Sequence, residues 1–278
     1  MEKIDRPIIV PWDFSPVAEN AFLHALHFAG SLNREILLLH IIPEEKSRAE
    51  REKQMEESVG RLAVEHGKKA SFVIMTGNIF NTIGEAAKVH KAEMIIMGTH
   101  GMKGAQKLFG SRALKVVVSS RIPFLVVQDK PDRNTVTNIL LPIDFRTENK
   151  EKANYIYYLA RNFGAKFTIL KPAVKDSGFK RKVSSNLKYI ESFLKSHDVD
   201  YEVASVEGKQ PFKFEVADYA KEKNVDMIMV MTTRGINFFH YTFGAPEQFI
   251  IANKYAIPVL CVNPKPLKLS GGFRASGG

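Results

Sequence analysis

Short, continuously apolar runs alternate along the chain with longer stretches whose apolar residues recur every three or four positions. In the first half the runs PIIVPW, EILLLHII, ASFVIMT, EMIIMG and PFLVVQ predict strands at 7–12, 35–42, 70–76, 93–98 and 123–128. Helical periodicity predicts helices at 16–29, 44–66, 79–90 and 111–120. Ser15 is placed to cap the first helix, Pro16 to occupy its first position and Gly30 to close it. Ala18, Phe22, Ala25 and Ala29 form its apolar stripe. Strands that are apolar at every position are covered on both faces, which is the environment of a parallel sheet between helices.

The pattern then repeats. Ile8-Ile9-Val10-Pro11-Trp12-Asp13-Phe14 is echoed by Leu140-Leu141-Pro142-Ile143-Asp144-Phe145. Met94–Gly101 is echoed by Met227–Gly235, with one extra residue that sets Thr232 against Gly98. Eight residues separate Gly101 from Gly110, and eight separate Gly235 from Gly244. Ile122–Val127 is echoed by Ile257–Val262. The second half opens its first helix with Thr147 as cap, a stripe of Ala153, Tyr157, Ala160 and Phe163, and Gly164 as stop. Repeated β-α units predict an α/β fold: two tandem doubly wound domains, each an open five-stranded parallel sheet in the order 3-2-1-4-5 flanked by helices. The expected divisions are a first domain at 1–130, a polar linker at 131–137, a second domain at 138–263 and a basic flexible tail at 264–278.

Composition narrows the class. With 278 residues, 45 % apolar and 25 % charged, the chain is an ordinary globular sequence and not a disordered or fibrous one. Apolar runs such as Ala256–Val262 reach seven residues, against about 20 for a membrane helix. The N-terminus lacks the apolar core of a signal peptide. One cysteine, Cys261 in a strand-like PVLCVN, excludes an intrachain disulfide and a cysteine metal cage and is expected to be buried. The expected compartment is the cytoplasm. The net charge of +10 is unevenly spread. Segment 44–69 balances seven Glu against seven Lys or Arg, whereas 171–188 carries Lys171, Lys175, Lys180, Arg181, Lys182 and Lys188 against Asp176. Few aromatics and no reading motif accompany that basic segment, so any nucleic-acid affinity is expected to be nonspecific.

Candidate chemistry gathers at one place. In a 3-2-1-4-5 sheet, ligands bind beyond the carboxyl ends of the first and fourth strands, where strand order reverses. The first strand ends in Asp13, an acceptor for ribose hydroxyls or a base amine. The fourth ends in Gly98-Thr99-His100-Gly101, and its loop runs to Gly110-Ser111, where a helix begins. Glycines admit close approach of backbone N–H groups to phosphates, and a helix N-terminus favours negative charge. Each residue alone has a plainer reading. Asp13 suits a helix cap worth about 1 kcal/mol, His40 a satisfied structural histidine, His100 a solvent-facing loop and Trp12 the core. The aromatics Phe238, Phe239, Tyr241 and Phe243 suit a filled pocket in the second half. Only the joint placement describes a nucleotide site. No GxxxxGK[ST], GxGxxG, HExxH or GxSxG occurs, and no nucleophile is paired with an activating base.

The tandem halves, the Pro11-Trp12-Asp13-Phe14-Ser15 opening and the Gly98-Thr99-His100-Gly101…Gly110-Ser111 loop resemble the universal stress protein family. The resemblance implies a stress-response protein that binds ATP or AMP, with Mg accompanying ATP. It places Asp13 at the adenine and ribose end, the Ile41 backbone along the base, and Gly98, Thr99, His100, Gly101, Gly110 and Ser111 about the phosphates. It implies a regulatory or protective role, with at most slow ATP hydrolysis, and partners limited to an adenine nucleotide and a protein partner or homodimer, without a membrane or a specific nucleic acid. A nucleotide-free interaction module of the same fold is the alternative. It also implies that the last strands of the halves pair across a two-fold axis, making the chain an intrachain pseudo-dimer. The sequence departs from the family pattern in its gap before Gly110, eight residues where nine are usual. In the second half Arg234 replaces His100 and Ala245-Pro246 replaces Ser111-Arg112, so that half reads as a degraded site.

Overall fold

The computed structural model describes residues 6–100, 122–133, 135–144, 153–231 and 246–262. The first half contains β1 (Ile8–Pro11), α1 (Pro16–Leu32), β2 (Ile36–Ile42), α2 (Arg48–His66), β3 (Ser71–Thr76), α3 (Ile79–Val89), β4 (Met94–Gly98) and β5 (Phe124–Val127). The second contains β6 (Asn138–Pro142), α4 (Ala153–Phe163), β7 (Lys166–Lys171), α5 (Ser177–Ser196), β8 (Tyr201–Ser205), α6 (Phe212–Glu222), β9 (Met227–Met231), α7 (Pro246–Ile251) and β10 (Val259–Val262). Among these residues no helix is long and apolar enough to cross a membrane.

All ten strands join one sheet in the order β3-β2-β1-β4-β5-β10-β9-β6-β7-β8. Each half is parallel within itself and reads 3-2-1-4-5, as the repeat predicts. The two meet through an antiparallel pair, β5 with β10. Val259 faces Val126, Leu260 faces Leu125 and Cys261 faces Phe124. Phe124 and Val259 hold equivalent registers against β4 and β9, so the pairing maps onto itself when the halves are exchanged. The Leu125–Leu260 pair therefore marks a pseudo-two-fold axis. Apolar edges that would otherwise invite aggregation are buried against each other, and all eight residues of the two strands are buried, Cys261 included.

Two cores sandwich the sheet. Side chains of α1, α2, α4 and α5 pack on one face, and those of α3, α6 and α7 on the other. The junction adds Phe28 against Phe163, ring centroids 5.0 Å apart. The Asn20 amide donates to the Gln128 carbonyl at 3.2 Å, and the Gln128 amide donates to the Asn253 carbonyl at 3.1 Å. His24 lies buried beside them, its Nε2–H donating to the Asp129 carbonyl at 3.1 Å. Burial pushes its pKa down to about 4.

Three local expectations are corrected. α1 does not stop at Gly30. It runs on to buried Leu32 and is closed by Asn33 in the left-handed region, φ 50°. Asparagine tolerates that conformation, and the extra turn buries one more leucine. The segment at 44–66 begins with a 3₁₀ turn, Glu45–Ser47, before α2. In α4 the buried stripe is Ala153, Ile156 and Leu159, while Tyr157 and Ala160 are half-buried. Tyr157, Ala160 and Phe163 still pack against that core, so the helix is turned by only about half a residue from the face expected. The expected helix at 111–120, the cap Thr147, the second glycine loop with its aromatics and the tail lie outside the described residues.

Candidate functional site

β1 is in register with β2 as far as Pro11 against Leu39, but with β4 only at Ile8 and Ile9. Beyond Ile9 the two central strands part, and the chain after β1 turns sharply at the mouth of the gap. Ser15 caps α1, its Oγ accepting from Ala18 N–H at 3.3 Å. The same hydroxyl donates to Asp13 Oδ1, and Ser15 N–H donates to that oxygen at 3.1 Å. Asp13 is thus exposed and fixed by one carboxylate oxygen. Between them Phe14 takes φ 63°, a left-handed conformation costing a non-glycine residue on the order of 1–3 kcal/mol. The turn's hydrogen bonds and the contact of the Phe14 ring with His40, centroids 4.9 Å apart, hold it there.

His40 is buried, and its Nδ1–H donates to the Trp12 carbonyl at 2.7 Å. The carbonyl is only an acceptor, so the proton is on Nδ1. This bond ties the end of β2 to the residue before Asp13. Trp12 itself is core, edge-on to Phe22 at 6.4 Å, with Nε1 buried and unpartnered among the described residues. One residue beyond His40 lies Ile41. Leu39 gives its carbonyl to Trp12 N–H at 2.8 Å. Backbone direction alternates along a strand, so the N–H and C=O of Ile41 also face the β1 side. They do so past the last β1 pairing, at Pro11–Leu39. One donor and one acceptor stand side by side at the strand end, on the Asp13 side of the sheet.

On the other side of the gap β4 ends at Gly98. A Cβ there would lie 1.9 Å from the carbonyl oxygen of Val17. What approaches Gly98 most closely is thus the first turn of α1, which the missing side chain admits. Thr99 N–H donates to the Val127 carbonyl at 2.8 Å, and its Oγ1 is buried with no partner among the described residues. His100 is exposed. The structure therefore brings Asp13, Ile41, Gly98, Thr99 and His100 to the same ends of three adjacent strands. Gly101, Gly110 and Ser111 lie outside the described residues.

The second half repeats the frame with different residues. Ile143 N–H donates to the Leu170 carbonyl at 3.0 Å, as Trp12 does to Leu39. Asp144 stands where Asp13 stands, with its carbonyl taken by the Asn186 amide at 2.8 Å. Counting in register from the pairs Ile8–Ile36 and Ile139–Phe167, Lys171 replaces His40 and Pro172 replaces Ile41. Proline has no N–H, so the donor is gone. The register also moves the equivalent of Gly98. Met94 and Met227 both open the β4-type strand against β1 or β6, which sets Met231, buried, opposite Gly98. The extra residue thus falls after the strand, and Thr232 is not the counterpart of Gly98. Neither Pro172 nor Met231 stands out in the sequence. Counting residues from each Asp, and not from each glycine, finds the first of them.

Comparison with known proteins places this architecture. Residues 6–128 match the Universal stress protein family. Universal stress protein MJ0531 of Methanocaldococcus jannaschii is 30 % identical over 148 residues, which cover 48 % of this chain and 86 % of that protein. A universal stress protein from Archaeoglobus fulgidus has a crystal structure that aligns with 94 % of this chain and 97 % of its own, with TM-score 0.73 and 16 % identity, a likeness of fold through both halves. A further A. fulgidus universal stress protein, solved in complex with dAMP, aligns with 45 % of this chain and 97 % of its own at TM-score 0.36 and 18 % identity. A sheet built from two 3-2-1-4-5 halves, and a relative of this identity and coverage, lead to one conclusion: the chain belongs to the universal stress protein family.

Proposed function

We propose that the first half binds an adenine nucleotide, ATP or AMP, beyond the ends of β1, β2 and β4, and that the bound nucleotide regulates this stress-response protein and is not turned over rapidly. The observation that carries this reading is the main-chain donor and acceptor of Ile41, which lie beyond the end of β1 without a partner among the described residues. Adenine presents an acceptor, N1, beside a donor, the 6-amino group, and that edge complements one N–H and one C=O. Asp13 supports the ribose: Oδ1 is held by Ser15, and the outer oxygen is left to accept from a hydroxyl. The buried Thr99 Oγ1 is a hydroxyl without a partner among the described residues on the β4 side. Gly101, Gly110 and Ser111 complete the reading as the phosphate end, through close N–H approach and a helix N-terminus. Mg²⁺ enters only with ATP, through its phosphates.

The second half, with Pro172 and Met231, is read as the structural partner that covers the β5 edge. The eight-residue spacing of the glycine loop favours a second reading, a nucleotide-free interaction module. Denaturing the purified protein and analysing the supernatant by mass spectrometry separates the two. Release of AMP or ATP near one equivalent is expected. If none is released, and none binds to the stripped protein at millimolar concentration, the nucleotide reading is wrong.

A further inference from the structure

The two halves supply each other's control for surface charge as well. α2 and α5 occupy equivalent places, each leading from the second strand of its half to the third, at opposite ends of the sheet. α2 carries four Lys or Arg and five Glu. It is laced by ion pairs: Arg61 with Glu65 at 3.0 Å and with Glu19, and Arg48 with Glu45 just before the helix. α5 carries Lys180, Arg181, Lys182, Lys188 and Lys195 against a single acid, Glu191. All five cations are exposed, and none forms an ion pair among the described residues.

Their arrangement is regular. Val183, Ile190 and Leu194 are buried in the core. On the outer face, about 120–160° around the helix from that buried line at 100° per residue, run Arg181, Lys188 and Lys195 in a single file. Seven residues at 1.5 Å each set them about 10.5 Å apart, a file about 21 Å long. Exposed Ser184, Ser185 and Ser192 lie between them, and Lys180 and Lys182 flank the first. Lys180 also sits at the end of the first turn, which holds no acid, where the helix dipole disfavours cations and acids would stabilise. A surface that departs from local stability in this way is the kind found at binding sites.

We infer that the outer face of α5 is a docking surface for the sugar–phosphate backbone of nucleic acid, bound without regard to sequence. Cations alternating with hydroxyl donors match what contacts phosphate oxygens. No base-reading motif accompanies the file. A membrane surface fits less well, because an interfacial helix needs a free apolar face, and the apolar face of α5 is spent on the core. Each phosphate neutralised contributes about −0.9 to the slope of log K against log salt. Three to five contacts predict a slope between about −2.7 and −4.5 for duplex DNA.

The test uses the full chain and a fluorescein-labelled 20-base-pair duplex of arbitrary sequence, titrated by anisotropy between 50 and 200 mM NaCl. The triple variant R181Q/K188Q/K195Q should lose at least tenfold in affinity at 50 mM, and its slope should be less steep by about 2–3. R51Q/K53Q on α2 should bind as wild type. Circular dichroism and urea unfolding check that the triple variant is folded; since its three positions are exposed, both should match wild type. A salt-independent wild-type affinity, or a triple variant that binds like wild type, overturns the proposal. So does tighter binding of phosphatidylserine vesicles or poly-glutamate than of duplex at equal charge concentration, which would make the face one for membranes or acidic proteins.

Discussion

The two halves share strand order, strand register and an axis through Leu125 and Leu260, yet they differ at the ends of the same three strands. Ile41 is answered by Pro172, His40 by Lys171, Trp12 by Ile143 and Gly98 by Met231. Lys171, Gly98 and Met231 close their strands, Trp12, Ile143 and Pro172 follow theirs, and His40 and Ile41, although paired with β3, lie past the last β1 pairing. The difference teaches that frame and site are separable here. Residues inside the ladder are constrained by burial on both faces, so both halves keep them apolar. Residues at the carboxyl ends are free to differ without loss of the sheet. The junction shows the same separation: His24 and His27 in α1 are matched by Tyr155 and Tyr158 in α4, and the halves still pair.

The largest effect expected is at the axis. Leu125→Asp and Leu260→Asp each bury an unpaired charge and should destabilise by more than about 3 kcal/mol. By symmetry the two values should agree to within about 1 kcal/mol in urea unfolding. A mild effect at either position would move the axis elsewhere. Next is the pH dependence of the junction. His24 is held neutral by burial, with its pKa near 4, so the unfolded chain takes up a proton near pH 6.5 that the folded chain refuses. Stability is full above about pH 6.5 and falls as pH drops from there toward 4, by about 3 kcal/mol in all. His24→Gln keeps a donor for the Asp129 carbonyl and should flatten that part of the stability profile. Unfolding at a series of pH values reads both.

Smaller effects sharpen the comparison at the strand ends. Gly98→Ala drives a methyl into the Val17 carbonyl and should cost about 1–3 kcal/mol as α1 shifts. Met231→Leu at the equivalent place keeps its volume and should cost less than about 1.5 kcal/mol. Thermal unfolding of the pair distinguishes a site closed by backbone from one filled by a side chain. The smallest difference is in binding: Asp13→Ala should weaken adenine nucleotide tenfold or more, about 1.4 kcal/mol, while Asp144→Ala leaves affinity unchanged.

Much of this architecture is legible in the sequence, for a physical reason. A strand covered on both faces must be apolar throughout, so EILLLHII and AEMIIMG announce a parallel sheet wherever they stand. The near-equal spacing of the landmarks then gives the repeat, the apolar last strands call for covered edges, and the family resemblance supplies the pairing of β5 with β10. Asp13 and the Gly98–His100 segment are legible because the topology fixes where strand ends lie, whereas Ile41 comes from the family resemblance. What the sequence hides is register and direction. A one-residue insertion can fall within a strand or after it, and only the ladder shows that it follows Met231. The loss at Pro172 is invisible until the alternation of β7 says which way its N–H would have pointed. The closure of α1 by Asn33, and not by Gly30, turns on one buried leucine that propensity does not weigh.

The central claim is that one half binds nucleotide through the Ile41 backbone and the other cannot. Isothermal titration calorimetry of the nucleotide-free protein with ATP tests it most directly, on wild type and Ile41→Pro. The Ile41 N–H faces away from β3, so proline there removes the donor and leaves the β2–β3 ladder intact. Wild type should bind one equivalent, and Ile41→Pro should lose at least tenfold in affinity while unfolding like wild type. Two equivalents per chain, or one that survives Ile41→Pro unchanged, would contradict the account.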